Sequence, residues 1–253
     1  MNVHFFADTA VLTGRSLKHI TRSLDTIITT TIMPIAFLLL FVFVFGGAIR
    51  SGSSNYTTYL LPGILLITIA SGIAYTSYRL FMDLQGGIFE RFQSMPIARS
   101  SVLWAHVLTS VVSNLVSVAV VVLVALLMGF RSGASVAAWL AVAGILIVFT
   151  LALTWLAVIA GLSAKSVDGA GAFAYPLIFL PFVSSAFVPT ATMPGPVRWF
   201  ATYQPVTSIV DSIRALLTRQ PVGGALWVAL AWCVGLLVVA YVVSMGVYRK
   251  RFR

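Results

Sequence analysis

Between Arg79 and Ser101 the chain reads RLFMDLQGGIFERFQSMPIARSS, the only long charge-bearing segment set between two spans of an otherwise oily sequence. Phe81, Leu84, Ile88 and Phe92 recur at helical spacing, while Asp83, Glu90 and Arg91 fall on other faces. The pattern predicts a short amphipathic helix lying at a membrane surface. Met95-Pro96 ends it, because proline cannot continue a helix and restricts the residue before it. Two readings fit this stretch: a docking site through which a cytoplasmic protein moves the membrane helices, or a surface segment that merely joins two spans.

The composition around it fixes the class. Of 253 residues, 60% are hydrophobic and 9% charged, against about 25% charged in a soluble domain. So little polar surface would not keep a globular chain dissolved, so the sequence reads as an all-helical integral membrane protein. Apolar runs of about 20 residues fit spanning helices rather than the shorter alternating strands of a barrel. The formal charge of +10 does not point to nucleic acid, since the basic residues gather at span ends. Cys233, the only cysteine, sits in an apolar run and is expected to be a small buried hydrophobe.

Working outward, residues 1–25 form a polar lead-in. Arg15, Lys18 and Arg22 share one helical face there, as in an interfacial helix against anionic lipid. Six spans are expected, at about 26–48, 56–78, 102–128, 136–162, 170–188 and 222–248, with residues 79–101 between the second and third. Residues 189–221 are too polar for a straight span and too apolar for a solvated loop. They predict two short helices, about Pro196–Thr202 and Val206–Thr218, broken at Gln204-Pro205. Such a hairpin can dip into the outer leaflet where protein or water satisfies its backbone. The whole chain is one transmembrane domain with no room for a separate soluble one.

Placing the N-terminus inside puts 11 of the 16 basic residues on inner segments and leaves Arg50, Arg131, Arg198, Arg214 and Arg219 outside. Both termini are therefore expected in the cytoplasm of a cell-membrane protein, with residues 79–101 on the same side.

The chemistry that is missing narrows the function. No Asp, Glu, Lys or Arg lies well inside a predicted span, which argues against an ion-coupled carrier. His106 reads as a helix-end residue at the headgroups with no accompanying carboxylate. No paired catalytic groups and no metal-ligand spacing are visible. The sequence contains no G-x-x-x-x-G-K-[ST] motif, so any ATP chemistry must come from another subunit. Asn114 and the threonines of the first span are expected to hydrogen-bond between helices as packing glue. Asp211 and Arg214, three apart, can pair on one face of the second short helix.

Three stretches resemble the daunorubicin-resistance permease group of the type-2 ABC transporters. Gly86-Gly87-Ile88-Phe89-Glu90-Arg91-Phe92 with Met95-Pro96 and Arg99 is similar to the group's cytoplasmic motif. Leu61-Pro62-Gly63-Ile64 resembles the opening of its second span. Residues 182–189, then Met193-Pro194, Gln204-Pro205, Asp211 and Arg214, resemble its fifth span and outer hairpin, although the group more often has Asn-Pro where Gln204-Pro205 stands. The resemblance implies six spans, an N-terminal interfacial helix and a re-entrant outer hairpin. It also implies a coupling helix whose contact residues are Leu84, Gly87, Ile88, Glu90, Arg91, Phe92, Met95, Pro96 and Arg99. Pro189, Pro194, Gln204, Pro205, Asp211 and Arg214 would form the outer hairpin or gate. Such permeases pair with a second permease, identical or homologous, and with two P-loop ATPase subunits that bind ATP and Mg. Their substrates are amphipathic drugs, lipids or glycolipids moved outward. Export of a polysaccharide or cell-wall glycan is the alternative, less favoured because few aromatics lie mid-span. A non-transporting immunity or scaffold protein and an intramembrane enzyme are more distant ones.

Overall fold

The computed structural model describes residues 13–14, 24–46, 56–87 and 99–251, and their regular structure is entirely helical. Most of the expected interfacial helix, and Ile88, Glu90, Arg91, Phe92, Met95 and Pro96 of the coupling segment, lie outside the described residues. In chain order the helices are α1 (Leu24–Leu39), α2 (Tyr56–Gln85), α3 (Arg99–Leu127), α4 (Val136–Ser163), α5 (Val167–Ala172), α6 (Ala174–Phe179), α7 (Gly195–Tyr203), α8 (Pro205–Leu217) and α9 (Ala225–Arg251). Helices α2, α3, α4 and α9 are long and apolar enough to cross a bilayer. A lone helix satisfies its backbone internally, which hydrocarbon demands. The chain is an integral membrane protein.

Helix α2 is the hub, with α1, α3, α4, α5, α6 and α8 all packed around it. Its Leu60, Leu61, Ile64, Leu65, Ile67, Ile69 and Ile73 are fully buried. Small residues bring its neighbours close. A Cβ on Gly63 would stand 2.5 Å from the Ala186 Cβ, and one on Gly161 of α4 would stand 2.9 Å from the Ser77 carbonyl oxygen. Interfaces in membranes favour such residues because close backbone approach, not water exclusion, holds the helices together. Helix α9 is the opposite case: Trp227, Val228, Val238, Val239 and Val242 are exposed, as lipid-facing residues are.

Prolines shape the irregular parts. Pro34 lies inside α1, which runs on as a π-helical turn, Leu40–Phe45. The fifth apolar stretch, expected as one span over 170–188, is not one helix. It breaks into α5, α6 and a 3-10 turn, Leu180–Val183, with Pro176 and Pro181 withholding backbone donors. The hydroxyl of Ser184 then donates to the Pro181 carbonyl at 2.6 Å and accepts from the Ala186 N–H at 3.0 Å, closing the turn. Four phenylalanines fix this break against α1. Phe41 stacks on Phe187 at 4.6 Å, Phe182 on Phe187 at 4.8 Å, and Phe37 meets Phe182 edge-on at 5.4 Å.

The basic residues sort to two ends of the bundle. Arg251 donates to the Leu162 carbonyl, and Gly161 abuts Ser77, so Arg79, Lys165 and Arg249–Arg251 share one end. Ser132 donates to the Leu217 carbonyl at 3.1 Å, which places Arg131, Arg214 and Arg219 at the other.

Candidate functional site

The two ends carry different devices. At the first, α2 terminates at Gly86-Gly87. The Gly86 N–H bonds the Met82 carbonyl at 2.9 Å, and Gly87 has φ 68°, a left-handed conformation suited to the glycine that follows a helix. Leu84, one turn earlier, packs half-buried against a cluster containing Leu80, Val102, Leu103 and Val107. Arg99 opens α3. Residues 88–98, where the sequence places the docking contacts, therefore join two helices already packed side by side.

A side-chain pair reinforces that packing. His106 Nε2 of α3 lies 3.3 Å from Asp83 Oδ2 of α2, and both side chains are mostly shielded. This corrects the sequence expectation of a headgroup histidine without a carboxylate. The signal was legible: α2 and α3 are antiparallel helices joined by a short connection, so residues near the two ends of that connection stand level. Helix α2 also runs past the expected end at residue 78, which puts Arg79 and Asp83 on the helix itself.

At the other end, Arg214 of α8 sits in a junction of three elements. Its Nη1 donates to Asp211 Oδ1 at 2.8 Å, and its Nη2 donates to the carbonyls of Ser185 at 2.7 Å and Tyr59 at 3.1 Å. Its guanidinium lies 3.9 Å over the Tyr59 ring. Asp211 Oδ1 also accepts from the Ser185 hydroxyl at 2.6 Å, and the Tyr59 hydroxyl donates to the Ser185 carbonyl at 3.0 Å. The pair is one-sided: the Arg214 side chain is only 17% exposed, while the Asp211 side chain is 42% exposed. Sequence reasoning found the charged pair but missed Tyr59 and Ser185, which lie far away along the chain. The Ser185 carbonyl, left outside any helix where the fifth stretch breaks, was the available signal, because buried carbonyls need donors.

The remaining expected gate residues organise the helix pair around that junction. Pro189 precedes the 3-10 turn Thr190–Thr192, and Pro194 precedes α7. Gln204 separates α7 from α8, and Pro205 takes the first position of α8, where its missing N–H costs nothing. The Gln204 amide donates to the carbonyls of Leu180, at 3.5 Å, and of Val183. These bonds link the α7–α8 elbow directly to the break in the fifth stretch.

Taken together, these observations define a membrane protein, helical throughout its described residues, with a jointed helix pair at one end and two helices clamped side by side at the other. The family is equally plain: the model for the ABC-2 type transporter matches residues 8–218, and the chain belongs to that family. It is 30% identical to the daunorubicin resistance ABC transporter permease protein DrrB1 of Streptomyces coeruleorubidus over 231 residues, covering 89% of this chain and 80% of the relative. It is 26% identical to the probable doxorubicin resistance ABC transporter permease protein DrrC of Mycobacterium tuberculosis over 252 residues, 97% of this chain and 90% of the relative.

Proposed function

We propose that the chain is the permease subunit of an ATP-driven exporter that moves an amphipathic drug, lipid or related compound out of the cytoplasm or inner leaflet. One observation carries this reading: the family match spans residues 8–218, a range that takes in the 79–101 segment, the second-span opening and the Arg214 junction. The relatives' names place drug resistance in the same group. In this reading α1 with its π turn and the α5–α6 stretch complete six spans, and α7–α8 re-enter the outer leaflet. Both termini and residues 88–98 face the cytoplasm of a cell-membrane protein. Two permeases, identical or homologous, form the pathway, and two P-loop ATPase subunits bind ATP and Mg. Phe92 fills an apolar cleft on the ATPase, while Glu90 and Arg91 set register.

The test is ATP-driven efflux of daunorubicin from proteoliposomes holding the permease with its ATPase. Phe92→Asp is expected to release or uncouple the ATPase while the permease inserts normally. Unchanged efflux in that variant would exclude the docking assignment.

A further inference from the structure

An apolar groove lined by α2, α3 and α4 lies on the flank of the bundle. Helices α3 and α4 pack more on α2 than on each other, and Ala119 of α3 and Ala143 of α4 line the gap with small, exposed side chains. The groove holds about 380 Å³, and every side chain on its walls is apolar or aromatic. Along α3 it runs from Leu115 to Leu126, about 16 Å by the rise per residue of a helix. Along α4 it runs from Trp139 to Leu146, in the half of that helix nearer Arg131. One leaflet takes half of a hydrocarbon core of about 30 Å, so the groove is one leaflet deep.

Two arginines stand at its Leu126 end. Arg131, exposed, donates through Nη1 to the Leu126 carbonyl at 3.2 Å and the Phe130 carbonyl at 3.3 Å, which holds it at the mouth of the groove. Its other donors meet no acceptor among the described residues. Arg219 reaches the same loop, since a Cβ on Gly133 would stand 3.4 Å from its Nε. Arg219 also holds φ 58° just past the end of α8, where glycine is the usual residue, so a cation stands at a position that favours no side chain at all. Neither arginine is in an ion pair among the described residues. From residue 126 onward the only acidic residues are Asp211, bonded to Arg214, and Asp168, at the opposite end of the bundle.

The two halves select one occupant. An apolar groove one leaflet deep fits an acyl chain, and a guanidinium pair at headgroup level fits the oxygens of a phosphate, which arginine binds through two parallel bonds. A helix of a second copy would match the groove but not the cations. A soluble anion would match the cations but not the groove. A zwitterionic head brings its own ammonium up to the arginines, so a head of net negative charge is favoured.

We propose that this groove holds a resident phospholipid of net negative head from the leaflet on the Arg131 side, with its phosphate on Arg131 and Arg219 and one acyl chain along Ala119 and Ala143. The lipid is a fixed component of one permease copy and not cargo, so the proposal rests on the membrane fold and not on the export reading. The full chain, purified in a mild detergent, is titrated with palmitoyl-oleoyl phosphatidylglycerol or phosphatidylcholine, and the first bound lipid is read by native mass spectrometry. Phosphatidylglycerol is expected to bind about tenfold tighter. Arg131→Gln and Arg219→Gln are each expected to weaken it about fivefold, the usual weight of one basic residue beside an anionic lipid. Ala119→Phe fills the groove from an exposed position and is expected to weaken both lipids about tenfold with the preference kept. Lys165→Gln, at the opposite end of the bundle, is expected to change nothing. Equal affinity for the two lipids, a preference surviving the double arginine variant, or an equal loss in Lys165→Gln overturns the site. Displacement of the lipid by soluble glycerol 3-phosphate would leave an anion site only and overturn it too. Ala119→Phe splitting dimers with lipid affinity unchanged would make the groove an interface between copies, which likewise overturns it.

Discussion

At the scale of single residues, Arg214 shows how one side chain joins elements that the sequence keeps apart. Its guanidinium answers two carbonyls and a carboxylate at once, which the planar arginine fork does and a lysine ammonium does not. Arg214→Leu takes one donor group from Asp211 and from the Ser185 and Tyr59 carbonyls, leaving Asp211 with the Ser185 hydroxyl and the Ser185 carbonyl with the Tyr59 hydroxyl, and is expected to destabilise the permease by about 3 kcal/mol. By the usual scaling for chains of this size, the thermal midpoint in detergent falls by roughly 6–12 °C. Arg214→Lys restores charge but not the fork and is expected to recover less than half of that loss. A midpoint that does not move in Arg214→Leu would mean that the junction holds nothing. Gly72 makes the opposite argument, where the absence of an atom matters. Gly72→Ala drives a methyl into the Asn114 amide, 2.1 Å from the glycine's ideal Cβ. It is expected to cost about 1–3 kcal/mol as an overpacked core site, visible in the same melting measurement. Both sites show where sequence reading stops. Asp211 and Arg214 advertise themselves by spacing, whereas the carbonyls of Tyr59 and Ser185 acquire meaning only once a helix breaks beside them.

At the scale of elements, α2 and α3 are tied together where residues 88–98 leave one and enter the other. Apolar contacts around Leu84 and the Asp83–His106 pair hold the two helices together just before the Gly86-Gly87 exit from α2. On the proposed docking of an ATPase at residues 88–98, a push there is expected to be shared by both helices. Asp83→Asn and His106→Leu are each expected to leave ATP hydrolysis by the complex largely intact. If the proposed export function holds, substrate exported per ATP consumed should fall two- to fivefold, the effect of losing roughly one hydrogen bond's worth of rigidity. Hydrolysis and export falling in proportion would place the pair in assembly instead, and no change in either would remove it from the path. Much at this scale was readable beforehand. Gln204-Pro205 announces the elbow between α7 and α8, because proline has no N–H to give to a continuing helix. Pro176 and Pro181 announced trouble in the fifth stretch equally well, but apolarity alone argued for a straight span. What hydropathy does not register is that α2 and the Phe41–Phe182–Phe187 stack enclose that break, so protein supplies what lipid would withhold. The π turn after α1 left no trace in the sequence beyond Pro34.

At the scale of the whole molecule, the fold and the charge distribution sort the basic residues to the same two ends. The positive-inside partition grouped Arg79, Lys165 and the Arg249–Arg251 cluster by counting alone. The structure groups the same residues by contact, with Arg251 bonded to the Leu162 carbonyl and α4 seated against Ser77 through Gly161. Arg131 stands at the far end of α4, beside the α8 terminus that accepts from Ser132. Helix α4 has 28 residues. At 1.5 Å per residue it is about 42 Å long, enough to clear a hydrocarbon core of about 30 Å with both ends in the headgroups. Arg131 and Lys165 must therefore report opposite faces of the membrane. With Cys233→Ala as background, a membrane-impermeant maleimide added to intact cells is expected to label Arg131→Cys and spare Lys165→Cys. On inside-out vesicles the pattern should reverse. The inverted result would turn the protein over and put residues 88–98 beyond the reach of a cytoplasmic ATPase. Labelling of both cysteines from one side would mean that α4 does not span at all. Burial already distinguishes the helices in this arrangement: 83% of the apolar window of α2 is enclosed by protein, against 17% for α9. On the proposed export reading, force applied at the Gly87 end is expected to enter the most enclosed of the four long helices, which runs to Tyr59 and the Arg214 junction at the other end.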